Sequence, residues 1–502
     1  MLLISPLEIS VMQPPQKPTF TPPDGTVLLR VSRETTFLTE PLYADKSGVD
    51  YPLALELQYA PKNPLDNGFR EIVKHLDTKF YTDLTQKVEC RTRLCEKLRL
   101  DPDEPPTISL PDFDKPWENG MYENEPFFEL FEKSLRMPSF YTGYSCNTKE
   151  NSGGFWLPDI MHNFDILRKF AARSMIRCNT GNYCGAWNDV ITCLLFAKSS
   201  MCPVTSIAFL AGAAFELFAS TSVLSFLKSA KYSAEQLRSY IEQVQSLSKT
   251  DLKIKAVLQS ERFYALNKLF LYSCFGAKPK LMNPETPSST PEFDEFIAKE
   301  KDKLEIISRF GIDWNIVAKI YNNSFDEEDA WLIEKDESFY PNNEPTHITI
   351  ARVELFFANI FQTKELATVD EWANLSVPTR SQLLGKRMLE LDRPEFYAYT
   401  LCKARNETYR ALVLLAMELY LYRTEHGSFP NELDLLIESG YRETLPLDRF
   451  SPNSDAYKYR VESDGTFLLY SVGPCGIDFG GCGPDDDDGH REFIPDNIAV
   501  RG

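Results

Sequence analysis

A chain of 502 residues with 54 Lys+Arg against 73 Asp+Glu carries a formal charge of −19. That balance argues against generic binding to DNA or RNA, whose phosphates it would repel unless a basic face were segregated. An aromatic content of 13% gives the chain the means to bury cores, so it is not mainly disordered, and at about 150 residues per domain its length suits about three domains.

The N-terminal MLLISPLEISVMQPPQKPTF lacks a basic start, and Pro6, Glu8 and Ser10 break its apolar stretch, so it does not read as a secretory signal. Prolines 14, 15, 18, 22 and 23 make residues 1–25 an extended or flexible arm. A mixed region follows over 26–158. It opens with a strand at Thr26–Val31, and Asp50 caps a short helix with Pro52 in its first turn.

Residues 159–277 read as a helical array. Phe164, Leu167, Phe170, Ala171 and Met175 recur every three or four positions, giving one apolar face. The chain turns at Asn179–Asn182 and resumes as a helix over Ala186–Ala197. The turn Gly181-Asn182-Tyr183-Cys184-Gly185-Ala186 resembles one turn of a tetratricopeptide repeat, but no 34-residue self-similarity accompanies it, and a generic helical hairpin accounts for it equally. Val204–Leu227 is long and apolar enough to span a bilayer, yet it carries Glu216 near its centre and six Ser/Thr residues, so it reads as a buried helix. Ser233 and Gln236 stand at capping-box spacing before the next helix. Cys184, Cys193 and Cys202 recur every nine residues, half a turn out of phase on a helix, and read as small core residues.

Four prolines mark a linker over 278–292, and helical patterning returns over 293–400. Residues 401–502 form a last unit. Ala404–Glu425 is a long amphipathic helix with Ala404, Leu412, Leu415, Leu419 and Tyr422 near one face and Glu407 and Glu418 off it. Gly427 suits its end, and Pro430 forbids continuation. A short helix follows at Asn431–Glu438, closed by Gly440. Then Tyr457–Val461 and Thr466–Tyr470 read as a hairpin joined at Asp464-Gly465. The chain enters a glycine-rich loop, with Cys475 and Cys482 placed to bridge it in an oxidising compartment, and reaches the run Asp485–Asp488.

This order of elements, with the phrases YRTEHGSFP, LPLDRFS, SDG and YSVGPCG…DFGG…DDDD, resembles the soluble domain of the major pseudopilin of type II secretion systems. The likeness covers roughly residues 404–490. It implies a long helix packed on a small antiparallel sheet, with a calcium-binding loop beyond it. The whole chain also resembles a group of bacterial proteins, without assigned function, that join a helical region to such a tail.

Calcium takes six to eight oxygens from carboxylates and carbonyls in a flexible loop. Consecutive aspartates repel one another unless solvated or neutralised by a cation. Asp478, Asp485, Asp486 and Asp487 are the candidate ligands, and a solvated acidic loop is the competing reading. The sequence departs from the pseudopilin pattern at Cys475, where that family places an aspartate. It departs again in the long stretch of chain before the helix, which speaks against assembly into a fibre.

No HExxH, GxSxG, GxxxxGK[ST] or strand-linked GxGxxG motif occurs. His426 reads as a helix C-terminal residue interacting with carbonyls. The expected fold is mainly α, an antiparallel helical array with a small C-terminal α+β pseudopilin-like domain. The expected function is a non-enzymatic scaffold for a protein partner, without nucleic acid or a membrane span, and associated with the envelope or secretion by likeness of the tail. The alternative is a carbohydrate-directed hydrolase with a site in the helical region or near Trp117, Trp156 and Trp187.

Overall fold

A computed structural model describes residues 21–76, 125–141, 145–146, 155–156, 160–201, 205–248, 254–275, 309–335, 372–392, 396–482 and 497–502. The proposed linker at 278–292, nearly all of the N-terminal arm, and Trp117 lie outside them. Among the described residues the protein is mainly helical, with thirteen α-helices and one three-stranded antiparallel sheet.

The N-terminal helices are α1 (Arg33–Thr36), α2 (Tyr51–Tyr59), α3 (Gly68–Leu76) and α4 (Glu125–Leu135). The Asp50 carboxylate accepts the Leu53 N–H and caps α2, as its spacing implies. Thr26–Val31 is not a strand. Val27 alone forms a bridge, parallel to Asp313, so the segment is an edge contact with no ladder to extend it. A two-residue pair, β1 (Ser145–Cys146) with β2 (Phe155–Trp156), completes this part.

The array follows: α5 (Ile160–Asn179), α6 (Tyr183–Ser199), α7 (Ser206–Ser229), α8 (Ala234–Ser248) and α9 (Ile254–Phe275). α5 and α6 form an antiparallel hairpin. Gly181 takes φ +81° in the turn, and the Asn182 side chain accepts the Gly185 N–H to start α6 three residues before the sequence pattern suggests. Ser174 Oγ bonds the Ala186 carbonyl near the turn, and Cys193 lies against the Leu167 carbonyl further along. Of the periodic cysteines, Cys193 is core and Cys184 is exposed, as their half-turn phase difference on α6 requires, and Cys202 lies outside the described residues. α8 begins with the reciprocal pair expected of a capping box: Gln236 N–H to Ser233 Oγ, and Ser233 N–H to Gln236 Oε1.

The remaining helices are α10 (Trp314–Lys335), α11 (Val377–Asp392), α12 (Phe396–His426) and α13 (Asp434–Glu438). Leu266, Leu269, Trp314, Val317 and Met388 bury α9, α10 and α11 in one core with Tyr51 and Leu55 of α2. A second core joins α6, α7 and α8 to α12 and the sheet, through Trp187, Phe226, Leu237, Leu415 and Phe467.

The sheet orders β3 (Lys458–Val461), β4 (Phe467–Ser471) and β5 (Ile498–Arg501) with β4 central. All five residues of β4 are buried. Phe467 and Leu469 join the core beneath α12, whereas Leu468 and Tyr470 lie under Gly481, where a Cβ would come within 2.8 Å of Leu468. The sequence pattern shows β3, β4 and the Asp464-Gly465 turn but not β5.

Candidate functional site

The glycine loop that leaves β4 is organised by two side chains. Buried Asp448 accepts the Ser471 hydroxyl at 2.7 Å and the Phe450 N–H at 3.0 Å on one oxygen, and the Val472 N–H at 2.9 Å on the other. It fastens the start of the loop to the LPLDRF turn. Asn497, just before β5, holds the rest. Its Nδ2 donates to the Val472 and Ile477 carbonyls (2.7 and 2.8 Å), and its Oδ1 accepts the Phe479 and Gly481 N–H groups (2.9 and 3.1 Å). Its main-chain N–H donates to the Cys482 carbonyl at 3.2 Å. Neither residue stood out in the sequence. Asp448 is one residue of the LPLDRFS turn, and Asn497 falls beyond the acidic run, with nothing local to mark it.

Of the four candidate cation ligands, the structure places Asp478; Asp485, Asp486 and Asp487 lie outside the described residues. Asp478 is exposed, and its hydrogen bonds fall on one oxygen, which accepts from Tyr470 OH at 3.0 Å and Gly480 N–H at 2.8 Å. Among the described residues no hydrogen bond reaches its second oxygen, and a carboxylate is of the chemistry calcium prefers. Among the described residues no three His, Cys, Asp or Glu side chains converge as a metal cluster. Cys475 and Cys482 are not bridged to one another.

Buried charge lies elsewhere, on the helices. Asp189 is fully buried and receives Arg173 at 2.6 Å and Arg177 at 3.1 Å, while Arg173 also reaches Glu132. Burial pushes the Asp189 carboxyl up to about 7 against the pull of both arginines. Glu418 is buried as well, contrary to its expected place off the apolar face. Arg442, from the chain after α13, covers it at 2.8 Å, and burial raises its carboxyl to about 7. Glu216, the acid in the middle of apolar α7, pairs with Arg410 of α12, and its carboxyl is raised chiefly by burial.

Beside that pair, between α6, α7, α8 and α12, lies a cavity of about 30 Å³ lined by Lys198, Ser220, Val244 and Val413 as well as the pair itself. It has room for about one or two waters and none for a sugar ring. Trp187 is a core residue, stacked on Tyr240 at 4.2 Å with its indole N–H bonded to Gln243. His426 sits on the last turn of α12, its Nδ1 3.0 Å from the Tyr422 carbonyl and its ring on that tyrosine. This is the helix-end role expected of it.

One helix among the described residues is long and apolar enough to cross a membrane: the Ala208–Ser229 stretch of α7, 61% buried within the protein. No family model, curated protein or solved structure matches the chain.

Proposed function

We propose that this chain is a non-enzymatic binding scaffold, in which the helical array meets a protein partner and the C-terminal unit is a pseudopilin-like module steadied by calcium. One observation carries the reading. A 31-residue helix, α12, lies on a three-stranded antiparallel sheet, and the central strand of that sheet runs straight into a glycine loop bearing an exposed aspartate. The sequence likeness to pseudopilins implies that arrangement, and the acidic run Asp485–Asp488 follows Cys482 by three residues in the sequence.

In this reading Asp478, Asp485, Asp486 and Asp487 supply carboxylate oxygens, and the bound ion relieves repulsion among neighbouring aspartates. Association with the cell envelope or with secretion rests on the likeness of the tail, and fractionation of the native full-length protein tests it. The calcium site is tested by melting the full chain with and without millimolar calcium. A ligand that binds only the folded state raises the melting temperature. Calcium is expected to raise it in the wild type and to leave it unchanged in an Asp485→Ala, Asp486→Ala double variant. A wild-type melting temperature indifferent to calcium sinks the metal reading.

A further inference from the structure

Cys475 and Cys482 stand eight residues apart, counted inclusively, in the loop that leaves β4. Both are half-buried. The chain between them is tied down. Gly473 and Gly476 close a β-turn with Cys475 as its third residue, the Gly476 N–H donating to the Gly473 carbonyl at 2.9 Å. From there the main chain circles the Asn497 amide. Val472 and Ile477 on the first arm, and Phe479 and Gly481 on the second, all bond that one side chain. Cys482 accepts the Asn497 main-chain N–H. Gly476, Gly480 and Gly481 take φ of +65°, +70° and +85°, a region open to glycine at little cost, and these reversals fold the loop back on itself. Both cysteines therefore belong to arms anchored on a single residue.

We propose that Cys475 and Cys482 form a dithiol that the folded loop holds ready for closure, so that a small-molecule disulfide such as oxidised glutathione converts it to an internal disulfide. Either thiolate attacks a sulfur of the glutathione disulfide and expels one glutathione thiolate. The other cysteine thiolate then attacks the resulting mixed disulfide at the protein sulfur and expels the second. The two thiol protons are released to the medium and to the departing glutathione thiolates, and two electrons pass to the oxidant, which leaves as two molecules of glutathione. The closed ring fixes the segment that carries Asp478. The inference does not depend on calcium and is tested with a chelator present.

Three other described thiols stand on helices rather than in a loop. Cys193 is enclosed by α5 and α6, burial pushes the Cys178 thiol up to about 11, and exposed Cys184 stands on α6. Trypsin releases residues 461–491 as one peptide containing Cys475, Cys482 and no other cysteine. The full-length protein is equilibrated in glutathione redox buffers, folded and in concentrated urea, then alkylated, digested and weighed. A short loop closes to some extent in any chain, so the folded-to-unfolded ratio is the informative quantity. The closure constant of the folded protein is expected to exceed the unfolded one by at least about tenfold, equivalent to about 30 mV for this two-electron couple. An equal or smaller constant in the folded protein overturns the proposal. So does a folded peptide that stops at a glutathione adduct on one cysteine.

Discussion

Asp189 and Glu418 are acids that a sequence reader places on the surface and the fold places inside. Each is tolerable only because arginines cross from a neighbouring element: Arg173 and Arg177 from α5, and Arg442 from the turn after α13. Removing one partner of a buried pair leaves the other charge uncompensated, which typically costs about 3–5 kcal/mol. Asp189→Ala is expected to destabilise the protein by about that amount in urea unfolding, because buried Arg173 then loses the carboxylate it meets at 2.6 Å. The raised carboxyls also set a pH dependence. A folded-state value near 7, against 4.5 for an ordinary glutamate, means that folded Glu418 binds more protons than the unfolded residue between those pH values. Its contribution is fully present below pH 4.5 and is lost as pH rises through about 7. Stability of the wild type, measured relative to Glu418→Gln, is therefore expected to fall across that window by up to about 3 kcal/mol; a rise instead would overturn the assignment. Spacing alone did not reveal Glu418, because helical periodicity assigns an acid to a solvated face, and only the position of Arg442 in space says otherwise.

The helices were legible wherever a local rule fixes them. Asp50 and the Ser233–Gln236 pair each satisfy main-chain N–H groups within three residues of themselves, so the residues alone announce those helix starts, whereas Asn182 caps α6 ahead of the point where its apolar pattern begins. Ser233→Ala is expected to lower stability by about 1 kcal/mol, with faster hydrogen exchange confined to the first turn of α8. The elements that escaped notice depend on distant partners. β5 is a four-residue strand that exists because β4 offers an open edge, and its alternation is too short to read. Thr26–Val31 has good strand composition and still makes only one bridge, since its neighbour, the start of α10, turns away as a helix. The candidate loop divides along the same line. Its glycines and Asp478 were visible as composition, whereas Asn497, which ties the described part together, lies beyond the acidic run and acts only through the fold.

At the scale of the whole molecule, α12 is the member that joins the tail to the array. Its N-terminal half lies on α7, where Asn406 donates to the Ala213 carbonyl at 3.1 Å and Arg410 pairs with Glu216. Further along, Glu425 pairs with Arg238 of α8 at 2.5 Å and also accepts the Tyr441 hydroxyl. Leu412, Leu415, Ala416, Leu419 and Tyr420 are buried in a core that also contains Trp187, Phe226 and Leu237 of the array. The sequence showed an amphipathic helix with one apolar face. In fact nearly the whole circumference from Leu412 to Leu421 is covered, by the sheet on one side and by α7 and α8 on the others. A fragment comprising residues 396–502 would therefore expose the side of α12 that meets the array, and it would leave Arg410 without Glu216. Burial of apolar side chains is worth roughly 1.5–3 kcal/mol each when complete, so losing several at once outweighs the margin by which a small domain is stable. The isolated fragment is expected to lack a cooperative melting transition and to show uniformly fast hydrogen exchange, while the full chain protects α7 and α12 together. A fragment that melts cooperatively near the temperature of the intact protein would show that the tail folds independently of the helices it is packed against.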